Sequence, residues 1–98
     1  MAGTGTYLLI DRTITSLSGS SQSLMAQNMN RNMLILNNTG NASVGVNLVG
    51  GTAVIGGAGT ITIVTNGSLV LDSNQIGNAI NIIGTAGQPF AAFETQSS

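Results

Sequence analysis

Apolar and polar residues alternate in short bursts along this chain, and a period of two marks strands with one face in a core. The clearest burst sets Ala42, Val44, Val46 and Leu48 against Ser43, Gly45 and Asn47. Ile61 and Ile63 alternate with Thr60 and Thr62, Leu69 and Leu71 flank Val70, and Ile80 and Ile82 flank Asn81. Met33-Leu34-Ile35-Leu36 is instead a continuous apolar run, which predicts a central strand covered on both faces, by this chain or by a neighbouring subunit. Phe90 to Glu94 reads as the last strand. Around Leu24 and Met25, in residues 20–28, Ser and Asn crowding favours a strand or loop over a helix.

Turn chemistry separates the bursts. Asn66-Gly67 lies between two alternating runs, and Asn-Gly supplies the positive φ of a two-residue type I′ hairpin. Asn37 to Asn41 predicts a longer turn, and Gly50-Gly51 and Gly56-Gly57-Ala58-Gly59 bracket a short segment around Val54. The reading is an all-β domain, a compact β-sandwich or small jelly roll of about seven or eight short antiparallel strands. It occupies residues 12–98. Residues 1–11 form either its first strand or an extended arm that docks on another protein chain, with the apolar cluster Tyr7, Leu8, Leu9 and Ile10 as the candidate contact.

Composition narrows the partners. The chain carries two arginines, three carboxylates, no lysine and no histidine, so 5% of its residues are charged where a quarter is ordinary. Two cations and three aromatics cannot support nucleic-acid binding, and no polybasic or basic amphipathic segment suits an anionic membrane. No apolar run reaches the length of a spanning helix, and the first six residues lack the basic region of a signal peptide. Without Cys there is no disulfide framework. Stability rests on packing and hydrogen bonds.

Catalysis is not expected, because the groups that titrate or attack near neutral pH, His, Cys and Lys, are all absent. A two-carboxylate mechanism would rest on Asp72 and Glu94, which read more simply as solvated rim charges. Asp72-Ser73-Asn74 opens like a calcium loop but lacks the closing glutamate, and Gly56 to Gly59 lacks the Lys-Ser/Thr and helix of a phosphate loop. No metal or other cofactor is implied. Asn37, Asn41 and Asn66 each begin a glycosylation triplet, which a chain this rich in Asn, Ser and Thr generates by composition alone.

The most individual segment runs from Ser23 to Asn38, with a Leu-Ala stretch, Asn28-Met29-Asn30-Arg31, then Leu34-Ile35-Leu36-Asn37. With Gly40 to Asn47, Gly50 to Ala53 and Ile80 to Gly87, it resembles a group of small virion structural proteins of tailed bacteriophages, over roughly residues 14–94. The shared motif is Asn-x-x-Arg followed by a Leu-x-Leu-Asn strand. Relatives often carry proline where this chain has Met29. The resemblance implies a β-sandwich virion component. Within the motif, Arg31 is expected to tie backbone carbonyls of the preceding loop together through its five donors, or to reach across a subunit boundary.

The expected function is therefore a capsid decoration, or cement, protein on the phage head surface. It would bind the major capsid protein and itself, as a homotrimer, and bridge capsid subunits. Sheet edges without Lys, and with Pro89 as the one proline, suit burial against other subunits, and uncharged surfaces avoid the cost of desolvating charge. The alternative is a receptor- or glycan-binding module of a head or tail fibre.

Overall fold

The computed structural model describes residues 7–72 and 76–97. The strands are β1 (Tyr7–Asp11), β2 (Gln22–Met25), β3 (Arg31–Asn37), β4 (Val44–Asn47), β5 (Thr60–Ile63), β6 (Ser68–Leu71), β7 (Ile80–Ile83) and β8 (Ala91–Ser97). They form two four-stranded sheets ordered β1-β8-β3-β6 and β2-β7-β4-β5, antiparallel at every pairing. Successive strands cross between the two sheets except β4 and β5, which are neighbours in one sheet, in the manner of a jelly roll, and no helix occurs among the described residues.

The period-two bursts form the core. Leu34, Leu36, Phe90 and Ala92 project from one sheet toward Val44, Val46, Ile63, Ile80 and Ile82 of the other, with Leu17, Leu24 and Met25 closing the margin. Leu69 and Leu71 pack partly buried against this cluster. Gly84 sits where a side chain has no room: a Cβ there would lie 2.7 Å from Leu17 Cδ1 and 2.9 Å from Val44 Cγ1.

Three sequence expectations change. Asn66-Gly67 does not form a hairpin: β5 pairs with β4 and β6 pairs with β3, so the segment passes from one sheet to the other. Of this pair only Asn66 takes positive φ, at 64°, as the third residue of a turn closed by Gly67 N–H donating to the Val64 carbonyl at 2.8 Å. The turn docks on the β3–β4 crossing, with Asn38 N–H bonded to the Gly67 carbonyl and Asn66 N–H to the Asn38 carbonyl, each at 2.9 Å. Those two bonds hold β5 and β6 apart, and each strand turns its apolar residues to the shared core from its own side.

Met33 to Leu36 is central, as the pairing of β3 with both β6 and β8 requires, but among the described residues only one face is covered. Leu34 and Leu36 are buried while Met33 and Ile35 are half-exposed on the outer face. Conversely all four residues of β4 are buried, more than alternation predicts. Residues 48–59 fold over its outer face, placing Ile55 against Gly45.

Candidate functional site

Both arginines converge on one carboxylate. Arg31, buried at the start of β3, donates from Nε to Glu94 Oε1 at 2.8 Å, and Arg12 donates from Nε to Glu94 Oε2 at 2.8 Å. The remaining Arg31 donors reach the carbonyls of Ile76 at 2.5 Å, Asn78 at 2.7 Å and Ala26 at 2.9 Å, in the segments before β3 and β7. Asn28 adds Nδ2 contacts to Glu94 Oε1 at 3.0 Å and Gln96 Oε1 at 2.6 Å. The two ends of Asn28-Met29-Asn30-Arg31 thus bind the same carboxylate. Between them Arg31 N–H donates to the Asn28 carbonyl at 3.1 Å and neither Met29 nor Asn30 has positive φ, which defines a type I turn.

Glu94 is no solvated rim charge: its side chain is 1% exposed and that of Arg31 is 0% exposed. Burial works to raise the Glu94 pKa, but hydrogen bonds from Arg31, then Arg12 and Asn28, outweigh it and hold the carboxyl below its ordinary value. No buried side-chain nitrogen or oxygen among the described residues lacks a hydrogen-bond partner. This cluster is internal architecture. The sequence pointed to Arg31 but not to Glu94; the signal for Glu94 was its place in the alternation of the last strand, two residues after core-facing Ala92.

Asp72 and Glu94 do not meet. Glu94 lies in register with Leu34 on the core side, whereas Asp72 lines an outer-face cleft of about 280 Å³ with Tyr7, Asn32, Met33 and Thr95. Thr95 Oγ1 donates to Asn32 Oδ1 at 2.5 Å. The suggested calcium turn lies partly outside the described residues, at Ser73 and Asn74, and no cluster of three potential metal ligands occurs among the described residues. Gly56 to Gly59 lies across two successive turns, closed by Gly57 N–H donating to the Val54 carbonyl at 2.7 Å and Thr60 N–H donating to the Gly57 carbonyl at 3.2 Å.

The two outer sheet faces differ in kind. On the β2-β7-β4-β5 sheet, Asn47 organises a lid: its Oδ1 accepts from Val49 N–H at 3.0 Å and Gly51 N–H at 2.9 Å, and Nδ2 reaches the Thr52 and Ala58 carbonyls at 3.3 Å. Asn81 Nδ2 binds the Gly51 carbonyl at 2.7 Å, and Ser21 Oγ accepts from Ala53 N–H at 2.9 Å. On the β1-β8-β3-β6 sheet nothing comparable covers the outside among the described residues. Phe93, Ile35 and Val70 stand in one cross-strand row, and Leu9, Thr95 and Met33 in the next. Solvated faces of antiparallel sheets are ordinarily polar, and a contiguous apolar patch marks an interaction surface.

Tyr7, Leu8, Leu9 and Ile10 lie on β1, the outer strand of that bare sheet, paired on one side with β8. Tyr7 is 62% exposed, Leu8 46% and Leu9 66%. Tyr7 and Leu9 belong to the outer face, while Leu8 and Ile10 share the inner side with Glu94. Leu8 is exposed although it lies on the inner side, at the outer strand of the sheet.

No protein-family model and no curated protein matches the chain. Solved structures match in fold at low identity. The pilus subunit of Bacillus endospore appendages, a family of disulfide-linked pili, aligns over 97% of this chain and 90% of its own, at 17% identity and a TM-score of 0.53. The Tobacco streak virus coat protein aligns over 100% and 90%, at 11% identity and a TM-score of 0.54. The stem and receptor-binding domain of the bacteriophage PM2 spike protein P1 aligns over 90% of this chain but only 32% of its own, at 11% identity and a TM-score of 0.56. The same fold also serves an enzyme, the epimerase RmlC of Legionella pneumophila, at 12% identity, a TM-score of 0.54, and 97% and 50% coverage. These likenesses establish a jelly roll and leave function to the site.

Proposed function

We propose that this chain is a structural component of a virion, a small jelly-roll subunit that decorates a tailed-phage head as an oligomer and strengthens the shell by bridging capsid subunits. One observation carries the reading: three of the chain's few charged side chains, Arg12, Arg31 and Glu94, are drawn into one cluster, while apolar side chains of one sheet face and its edge strand, among them Tyr7, Leu9 and Val70, stay exposed. A surface built this way loses little on leaving water and suits permanent packing against protein. The shared fold with a viral coat protein and a phage spike supports it, as does the Asn-x-x-Arg resemblance.

The mechanism is mechanical. Apolar contacts span neighbouring capsomers, and several modest attachments on one oligomer sum to stable binding. The test is an image reconstruction of particles assembled with the full chain and with a chain lacking residues 1–10. The expected result is density over capsomer junctions that loses occupancy with the deletion. Full occupancy without residues 1–10 would remove Tyr7 to Ile10 from the capsid contact.

A second reading, recognition of a neutral glycan, is favoured by the outer cleft, where an exposed Tyr7 ring stands beside Asp72, Asn32 and Thr95. An aromatic platform with carboxylate and amide neighbours suits an uncharged sugar ring. Binding on a glycan array that is abolished by Tyr7→Ala would promote this reading over the first.

A further inference from the structure

The open edge of β1 has a definite hydrogen-bonding pattern. Arg12 N–H donates to the Ala92 carbonyl at 2.8 Å and Ile14 N–H to the Phe90 carbonyl at 2.9 Å, with Phe90 N–H returning to the Ile14 carbonyl at 2.8 Å. In an antiparallel ladder the residues that exchange such bonds alternate, so Ile10 and Leu8 also face β8. Tyr7, Leu9 and Asp11 therefore point their N–H and C=O groups away from the sheet. Nothing pairs with them among the described residues.

The other edges are poorer templates. β2 is broken by a bulge between Ser23 and Met25, and β5 and β6 are four residues each. β1 runs five residues in unbroken register, without Lys, Pro or a bulge, the devices that ordinarily blunt an edge.

We propose that β1 is a self-pairing edge: two copies of this chain join through antiparallel β1 strands about a two-fold axis at Leu9, fusing two four-stranded sheets into one. In that register Leu9 faces its own copy and Tyr7 faces Asp11, so every outward-facing residue gains both of its backbone hydrogen bonds. On the outer face the two Leu9 side chains meet, and each Tyr7 hydroxyl, a donor, lies on the side that carries the other copy's Asp11 carboxylate, an acceptor. On the inner side Leu8 meets Ile10, which covers a side chain that is 46% exposed in the single chain. A shift of two residues in either direction centres the axis on Leu8 or Ile10 and leaves Asp11 or Tyr7 without its match; centring on Asp11 sets two carboxylates face to face. The occupant is thus chosen by complementarity of donors, acceptors and apolar surface about one axis.

The pairing replaces the expected three-fold cluster with a two-fold one and gives the oligomer of the proposed function a geometry. It rests on that reading only for its purpose, since it concerns the purified chain alone. Sedimentation velocity of the full chain, at concentrations up to about 100 μM, should resolve a dimer. Leu9→Pro removes the N–H at the axis while leaving the β8 side of β1 intact, and edge strands admit proline there. It should weaken the dimer about ten- to a hundredfold, the loss of two backbone bonds, with the thermal midpoint of the monomer unchanged. Leu9→Lys serves as a second variant through charge repulsion at the axis.

Leu9→Cys should cross-link to a dimer under mild oxidation, because residues opposed in a hydrogen-bonded antiparallel pair lie about 5.5 Å apart, within disulfide reach. Val70→Cys, on the far edge of the same sheet, should not. A monomeric parent at that concentration, a trimer, or a dimer indifferent to Leu9→Pro and Leu9→Lys would each overturn the self-pairing. A monomer whose β1 variants lose head attachment would also overturn it, assigning the edge to the capsid protein and sparing the proposed function.

Discussion

Glu94 is the residue on which most chain segments depend, because Arg12, Asn28 and Arg31 reach it from the end of β1, the turn before β3 and β3 itself. Glu94→Gln leaves the Arg31 charge buried without its counterion, and breaking a buried pair costs about 3 to 5 kcal/mol. For a domain this size the thermal midpoint should fall by roughly 15 °C or more, measured by calorimetry. Arg31→Ala should fall comparably, since three carbonyls lose their donor, and equal melting of that variant and the parent would assign Arg31 a role outside the fold. The pH response follows from the lowered pKa: the unfolded chain binds a proton near 4.5 while the folded Glu94 resists it. Stability from this group is complete above that value and is lost as pH falls below it. Circular-dichroism melts should be flat from neutrality to about pH 5 and decline beneath, with a shallower decline in Glu94→Gln. Met29, second residue of the type I turn and 75% exposed, occupies the position where proline is favoured. Met29→Pro should raise stability by about 0.4 to 1 kcal/mol by restricting the unfolded chain. The sequence made Arg31 visible because a lone arginine before an apolar run is conspicuous. Glu94 stayed hidden because its partners lie 63 and 82 residues away.

Strands were more legible than their pairing. Valine, isoleucine and leucine at alternate positions fixed β4 to β7 within a residue or two, since one face of each must leave water. Asn66-Gly67 misled because local turn chemistry reports a reversal without saying whether the next strand joins the same sheet, and here Asn38 captures the turn for a crossing. The buried amides were equally silent. Asn38 donates to the Ala42 and Ile63 carbonyls at 2.8 and 3.0 Å, and Asn47 holds the lid, yet both resemble ordinary loop residues in sequence. Asn47→Ala should cost about 1 to 3 kcal/mol, because it strips hydrogen-bond partners from a half-buried loop. Hydrogen exchange should locate the effect, with Val49 and Gly51 amides losing protection while β3 and β8 keep theirs. Uniform loss across both sheets would mean the lid and the sandwich unfold as one unit.

At the scale of the molecule, the scarcity of charge has two consequences that salt can separate. Association between charged surfaces is screened by added salt, whereas apolar and backbone contacts are not, and salting-out strengthens apolar burial. Of the charged side chains only Asp11 and Asp72 lie fully at the surface away from the Glu94 cluster, both of one sign. Asp11 ends β1 and Asp72 lines the outer cleft, so an interface formed by the bare sheet face or by β1 carries acidic side chains of one sign. Attachment to heads, and association of the free chain, should keep their affinity or gain about severalfold between 50 mM and 500 mM sodium chloride, as small residual repulsion between the acidic copies is screened. Sedimentation at the two salt concentrations, with head occupancy measured in parallel, decides the matter. A tenfold loss of either association at high salt would mean that ion pairs carry the interface. The contact would then lie near Arg12, whose side chain is the one cation with surface exposure, and not on the apolar sheet.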